Sequence, residues 1–188
     1  TFLYIIKSNY LFVVKKLMKI LLIDPPFKSF TGIFSLYFPL GPAYLAGSLK
    51  KAGYECKILD MDAAETKEGT LDFIREYESY TNYVKALNSP ENPTWLLLKK
   101  LVKEQNPDII GITAMTSKFG SVIQTAKFCK EALPNVPIII GGAHASAMPE
   151  MTAKIPEADY VLRGEGDESI VILLDAISNH KDLSSVRG

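Results

Sequence analysis

The residues able to do chemistry in this chain fall into five short runs: Asp24-Pro25-Pro26, Asp60-Met61-Asp62, Thr113-Ala114-Met115-Thr116-Ser117, Gly141-Gly142-Ala143-His144 and Arg163-Gly164-Glu165-Gly166-Asp167-Glu168. Small and hydroxyl residues dominate three of these runs. There the backbone can approach a ligand closely, and threonine or serine can donate a hydrogen bond to it. His144 is the one titratable residue placed for chemistry, since a neutral imidazole can donate, accept or ligate. A large, flat, weakly charged ligand suits such loops.

Other chemistries lack their residues. A dinucleotide site needs G-x-G-x-x-G after the first strand, but the chain has Asp24-Pro25-Pro26-Phe27 there, and prolines remove the amides that a pyrophosphate needs. Gly164-Glu165-Gly166 opens a helix, yet a lone G-x-G is weak evidence and its glutamate repels phosphate. There is no P-loop. A receiver domain would carry an aspartate at the end of the third strand, where this chain has Thr113. Cys56 and Cys129 are far apart, which argues against a disulfide framework or a tetrahedral zinc site and suits a reducing cytoplasm.

The elements that must position these runs alternate between strand and helix patterns. Ile20 to Ile23 is a continuous apolar run closed by Asp24-Pro25-Pro26, as in a strand buried on both faces. Pro42 to Lys51 has helical periodicity, with proline in the first turn and Gly53 past the end. Cys56 to Leu59 reads as the second strand, residues 62–93 as an insertion of irregular helix, and Trp95 to Lys103 as an amphipathic helix. Strands over Asp108 to Thr113, Val136 to Ile140 and Tyr160 to Leu162 then alternate with helices over Val122 to Leu133, Pro149 to Lys154 and Ser169 to Ile177. Such βαβ units predict a doubly wound α/β fold. It is Rossmann-like or flavodoxin-like, with five parallel strands in the order 2-1-3-4-5 and ligands at their carboxyl ends.

The chain has 188 residues, of which 47% are apolar and 22% charged; this is enough for one sizeable core rather than two. Lys+Arg 21 against Asp+Glu 21 leaves no basic surplus for nucleic acid or an anionic membrane surface. Residues 1–17 are too short and too interrupted to span a bilayer. They read as upstream or appended sequence, or as an extra packed element, because Met18-Lys19-Ile20 looks like a natural beginning. The expected domain covers residues 18–178, and 179–188 begin a linker.

From Met18 to Ile177 the sequence resembles the N-terminal cobalamin (vitamin B12)-binding domain of B12-dependent radical S-adenosylmethionine enzymes, a group of methyltransferases and anaerobic magnesium-protoporphyrin monomethyl ester oxidative cyclases. The resemblance rests on Met18–Pro26, Pro39-Leu40-Gly41-Pro42-Ala43-Tyr44-Leu45-Ala46, Gly53-Tyr54-Glu55, Pro107–Thr113, Gly141–Ser146 and Arg163–Glu168, in this order and spacing. Cobalamin domains of the methionine synthase type carry D-x-H-x-x-G after the first strand, S-x-L after the third and G-G after the fourth. Here Asp24-Pro25-Pro26 lacks the histidine that ligates cobalt from below. Thr113-Ala114-Met115 is an altered second motif, and Gly141-Gly142 is intact.

The resemblance implies base-off cobalamin without a protein histidine ligand, its nucleotide tail threaded past Gly141-Gly142. Thr113, Thr116 and Ser117 would bond ribose and phosphate, and Met115 would pack under the corrin. His144 would stand at the cofactor rim, bonding corrin side-chain amides or approaching cobalt, and Gly164, Glu165 and Gly166 would stand at the cofactor edge or at the interface with the next domain. Each position also has a plain structural reading: Thr113 and Met115 can cap a strand and fill core, His144 can cap a helix, and Glu165 and Glu168 can serve the helix start. The radical chemistry of the family needs a 4Fe-4S cluster on three cysteines, with S-adenosylmethionine on its open iron. Two distant cysteines cannot supply that cluster, so it is expected in a C-terminal radical S-adenosylmethionine barrel domain, the partner of this one. A vestigial docking or lid module and a stand-alone corrinoid methyl carrier are the alternative readings.

Overall fold

A computed structural model describes residues 2–7, 10–15, 17–31, 38–63, 73–179 and 181–186, without the side chains of 2–7, 10–15, 73–77 and 185. Strands β1 (Phe2–Lys7) and β2 (Tyr10–Lys15) pair antiparallel in a sheet of their own. Then follow β3 (Lys19–Asp24), α1 (Lys28–Thr31), α2 (Leu40–Lys51), β4 (Glu55–Asp60), α3 (Phe73–Leu87), α4 (Pro93–Gln105) and β5 (Ile109–Thr113). A 3-10 turn at Thr116–Lys118 leads into α5 (Phe119–Ala132), β6 (Ile138–Gly141), α6 (Ala143–Ala147), α7 (Pro149–Thr152), β7 (Tyr160–Leu162) and α8 (Gly166–Ser178).

The second sheet has five parallel strands in the order β4-β3-β5-β6-β7, which is 2-1-3-4-5 counted along the chain, as expected. Alternation along its strands builds two cores. Leu21, Ile23, Ile110, Ile112, Ile138 and Ile140 pack with Trp95, Leu98 and Val122. On the opposite face Ile20, Leu22, Ile109, Ile139 and Leu162 pack with Leu49 of α2 and Leu173 and Leu174 of α8. Both faces are covered, which is why the central strands read as unbroken apolar runs rather than alternating ones.

Two aspartates fix the register where strands begin. The Asp108 amide donates to the Lys19 carbonyl at 2.8 Å, and its carboxylate accepts from the Lys19 amide at 2.8 Å. Asp159 repeats the clamp on Ile138, donating at 3.0 Å and accepting at 2.7 Å.

The segment expected to be irregular helix contains the regular fifteen-residue α3. Its Tyr83 is buried, its ring edge-on to Phe27 at 5.2 Å and its hydroxyl accepting from the Ser121 amide at 3.0 Å, so part of the aromatic scatter is core. Tyr80, 68% exposed, is surface. Helix α4 opens two residues ahead of the expected Trp95: the Asn92 side chain caps it by accepting from the Thr94 amide, and Pro93 takes the first turn. The last helix begins at Gly166 instead of Ser169, because Gly164 turns the chain at φ +70° and Glu165 runs extended into the helix. Helix α6, directly after the double glycine, was not anticipated.

Candidate functional site: a cleft at the carboxyl ends of the strands

A cleft of about 660 Å³ opens at the carboxyl ends of β3, β5, β6 and β7, between the sheet and the first turns of α2 and α8. It includes the point between β3 and β5 where strand order reverses, the expected ligand position in an open α/β sheet. Two strand glycines line it. Gly111 on β5 follows Ile109, and Gly141 on β6 follows Ile139, so both glycines lie on the sheet face whose core includes those isoleucines. A Cβ at Gly111 would come within 2.7 Å of Leu22 Cδ2, so the Leu22 side chain already covers that glycine, whereas one at Gly141 would meet only Leu162, at 3.5 Å and beyond, and the open backbone is that of Gly141. Leu22, Ile139, Leu162 and Ile170 frame this bare backbone. A flat ring fits a recess bounded by peptide planes and branched aliphatic side chains.

Of the expected site residues, the structure brings Thr113, Gly141, Gly142, Gly164, Glu165 and Gly166 together around the cleft. Gly142 has a further reason to be glycine, internal to the fold. Its φ is +107°, and a Cβ there would lie 2.9 Å from the Ala114 carbonyl oxygen and 3.1 Å from the Ala114 nitrogen. Tight β5–β6 packing thus accounts for Gly142 by itself. Ser146 stitches the rim, donating to the Gly142 carbonyl at 3.0 Å and accepting from the Gly164 amide at 2.9 Å.

Met115, Thr116 and Ser117 stand outside the cleft lining, exposed on the loop beyond β5. His144 is absent from the lining too and is buried, 4% exposed. Its Nδ1 lies 3.0 Å from Thr116 Oγ1, and its ring lies against Phe119 with centroids 3.9 Å apart. Phe119 belongs to the core on the other face of the sheet, so the imidazole is packed away from the cleft. Its buried Nε2 has no hydrogen-bond partner among the described residues. Asp167 and Glu168 occupy the first turn of α8, where carboxylates complement the helix dipole, and Glu165 makes no capping bond with its side chain.

A buried ion pair beside the site was missed in the sequence. Lys118 Nζ reaches the Asp24 carboxylate and, at 3.4 Å, the Pro25 carbonyl, joining the loop after β3 to the turn after β5. Burial raises the Asp24 pKa, opposed by the charge and hydrogen bond of Lys118. Nearby, Asp62 accepts from the Phe27 amide at 2.9 Å and the Ser29 amide at 3.1 Å. Gly111 was also missed as a site residue, although a glycine inside a strand signals close backbone approach. The α2 residues Pro42, Tyr44 and Leu45 belong to a run that carries the family resemblance, but nothing in it marked them as a wall of the cleft.

Burial pushes the Cys56 thiol up to about 11 and the Cys129 thiol up to about 12, far from the thiolate form used by nucleophiles and metal sites. Among the described residues no group of three or more His, Cys, Asp or Glu is arranged to hold a metal ion, and no helix is long and apolar enough to cross a membrane. His180 lies outside the described residues.

Fold and cleft define an open, doubly wound α/β domain with its cleft at the carboxyl ends of the strands. Residues 95–174, from α4 into α8, match the family model of the B12 binding domain. The chain is 33% identical over 176 residues to an uncharacterized methyltransferase, PH0819, of Pyrococcus horikoshii, covering 92% of this chain and 32% of that protein. It is 30% identical over 161 residues to the anaerobic magnesium-protoporphyrin IX monomethyl ester cyclase of Cereibacter sphaeroides, covering 85% of this chain and 22% of the relative. The radical S-adenosylmethionine methyltransferase TsrM of Kitasatospora setae, solved with cobalamin and a 4Fe-4S cluster bound, has the same fold at a TM-score of 0.66 and 17% identity, covering 92% of this chain and 26% of that one. The chain is therefore similar in sequence and fold to the B12-binding domain of B12-dependent radical S-adenosylmethionine enzymes, and it spans a third or less of these relatives' lengths.

Proposed function

We propose that this chain holds a corrinoid at the carboxyl ends of its sheet, as the cobalamin-binding domain of a larger B12-dependent radical S-adenosylmethionine enzyme. The observation that carries the reading is the apolar cleft over Gly141 at the strand ends, within the stretch that matches the B12 binding domain. When bound, the corrinoid supplies a cobalt centre able to carry a methyl group or an electron.

The chain's own residues bind and orient it. Leu22, Ile139 and Leu162 would hold the base of the nucleotide tail, and the open backbone of Gly141 would leave room for its ring. Thr113 stands at the mouth of the cleft for the ribose, and the exposed Met115, Thr116 and Ser117 lie beyond it, toward the corrin. Cobalamin is held base-off with no histidine from this chain's cleft. Buried Pro25 and Pro26 follow Asp24 where a ligating histidine would be needed, and His144 is engaged with Thr116 and Phe119. Its role is to support the Thr116 loop, not to ligate cobalt.

The 4Fe-4S cluster and S-adenosylmethionine belong to a C-terminal barrel domain, in keeping with relatives about three times as long as the region shared. A reducing cytoplasm agrees with two free, buried cysteines.

Titrating the chain with hydroxocobalamin and following the visible spectrum tests the reading. Retained corrin absorbance with a base-off spectrum after desalting is the expected result. Gly141→Val, whose Cβ meets only ordinary contacts, fills the recess and weakens retention at least about tenfold while the unfolding midpoint stays close to that of the parent chain. No retention by the unsubstituted chain would favour the docking-module reading instead.

A further inference from the structure

The floor of the cleft is almost without hydrogen-bonding capacity. Its described side chains are Leu22, Ile139, Leu162 and Ile170, with Leu45 across from them. The backbone beneath is spent in the sheet: Gly111 lies between Leu22 and Ile139, and Gly141 between Thr113 and Leu162, in parallel ladders. The Gly141 carbonyl additionally accepts from the Ala114 amide at 2.7 Å. Polar side chains line the rest of the cleft: Thr113 at the carboxyl end of β5, the exposed Tyr44 on α2, Ser146, Glu165 and Asp167. Ser146 is already committed to Gly142 and Gly164, and Glu165 and Asp167 are exposed at the start of α8.

Natural corrinoids share the macrocycle and differ in the base at the end of the nucleotide tail. From this floor we infer that the cleft selects among corrinoids by that base, taking a benzimidazole with a hydrocarbon edge over a purine. The inference rests on the proposed corrinoid reading and adds a specificity to it. Either base, released from cobalt, brings one ring nitrogen that loses its partner. A purine such as adenine brings further ring nitrogens and an exocyclic amine, and none of these finds a partner among the described floor residues. Groups buried unpaired in this way are what a site rejects most strongly. Dimethylbenzimidazole presents two methyl groups at that edge, which Leu22, Ile139 and Leu162 can cover.

The test compares three hydroxo- or aquo-corrinoids with the same chain under the same conditions: cobalamin, the cobamide with adenine as lower base, and cobinamide, which lacks the nucleotide. Equilibrium dialysis read by corrin absorbance gives each dissociation constant. Cobalamin is expected to bind about tenfold or more tightly than the adenine cobamide, with cobinamide weaker than cobalamin. Equal affinity for the two complete cobamides, or preference for adenine, would overturn the selectivity while leaving the corrinoid reading intact. Cobinamide binding as well as cobalamin would take the tail out of the cleft and overturn the selectivity while leaving the corrinoid reading intact; failure of all three to bind would remove the proposed reading itself. Ile139→Thr places a hydroxyl on the floor and is expected to narrow the ratio between the two cobamides; an unchanged ratio in the folded variant counts against the assignment of this wall.

Discussion

Lys118 is buried to the same degree as an isoleucine, its ammonium held by the Asp24 carboxylate and the Pro25 carbonyl. Buried pairs of this kind contribute little net stability, but removing one partner strands the other charge. Lys118→Met is therefore expected to destabilise the chain by about 3 kcal/mol near neutral pH. Its pH dependence follows from Asp24, whose pKa burial raises and Lys118 lowers. Without the lysine the folded-state pKa rises further above the unfolded value. The penalty is then smallest in acid, where Asp24 is protonated in both states, and grows as pH rises toward the new folded pKa. Urea unfolding of both proteins at about pH 4 and about pH 7 checks this; a deficit that is constant or larger in acid contradicts it. Neither residue could be paired from the sequence, because the contact joins positions 94 apart and the pattern there showed only a lysine after a strand. The paired glycines were legible, but their separate jobs were not: Gly142 serves the β5–β6 packing through its positive φ, and Gly141 leaves the recess.

Among the elements, the central strands were legible because burial on both faces leaves continuous runs such as Ile20–Ile23, closed by aspartate and proline. Helix starts were less so. Helix α8 begins on a glycine, a poor helix former, and only the turn at Gly164 explains why it starts there. Helix α3 was obscured because its buried positions are polar or small as well as aromatic, with Ser79, Tyr83 and Ala86 on one stripe. Its seat against α4 is set by the buried Trp95, whose Nε1 donates to the Ala86 carbonyl at 2.9 Å. The strand-start clamps belong to this scale too. Asp108→Ala leaves the Lys19 amide without its carboxylate, and a loss of about 1–3 kcal/mol is expected from chemical denaturation. A change within experimental error would show that water replaces the carboxylate and that the clamp fixes register without adding stability.

At the scale of the molecule, the sheet order places β3 and β5 side by side with their connections leaving in opposite directions, and the cleft lies above that division. Its walls, α2 and α8, come from opposite ends of the chain and pack against each other on one face. Sequence patterns could indicate strand ends as the site. They could not show that Thr113, Gly141 and Glu165 share a cavity with Leu45 and Ile170 while His144 faces the other core, since that division depends on which helix covers which face. The match to the B12 binding domain and the apolar recess together make corrinoid binding the central property to test.

Amide hydrogen exchange of the chain with and without hydroxocobalamin tests it most directly, because it reports both binding and place. Slower exchange is expected in the Met115–Ser117 loop, around Gly141-Gly142 and through Gly164–Asp167 at the start of α8, with α4 unchanged. Exchange unaltered by saturating cobalamin, or protection confined to the α4 and α5 face, would contradict a corrinoid seated between α2 and α8.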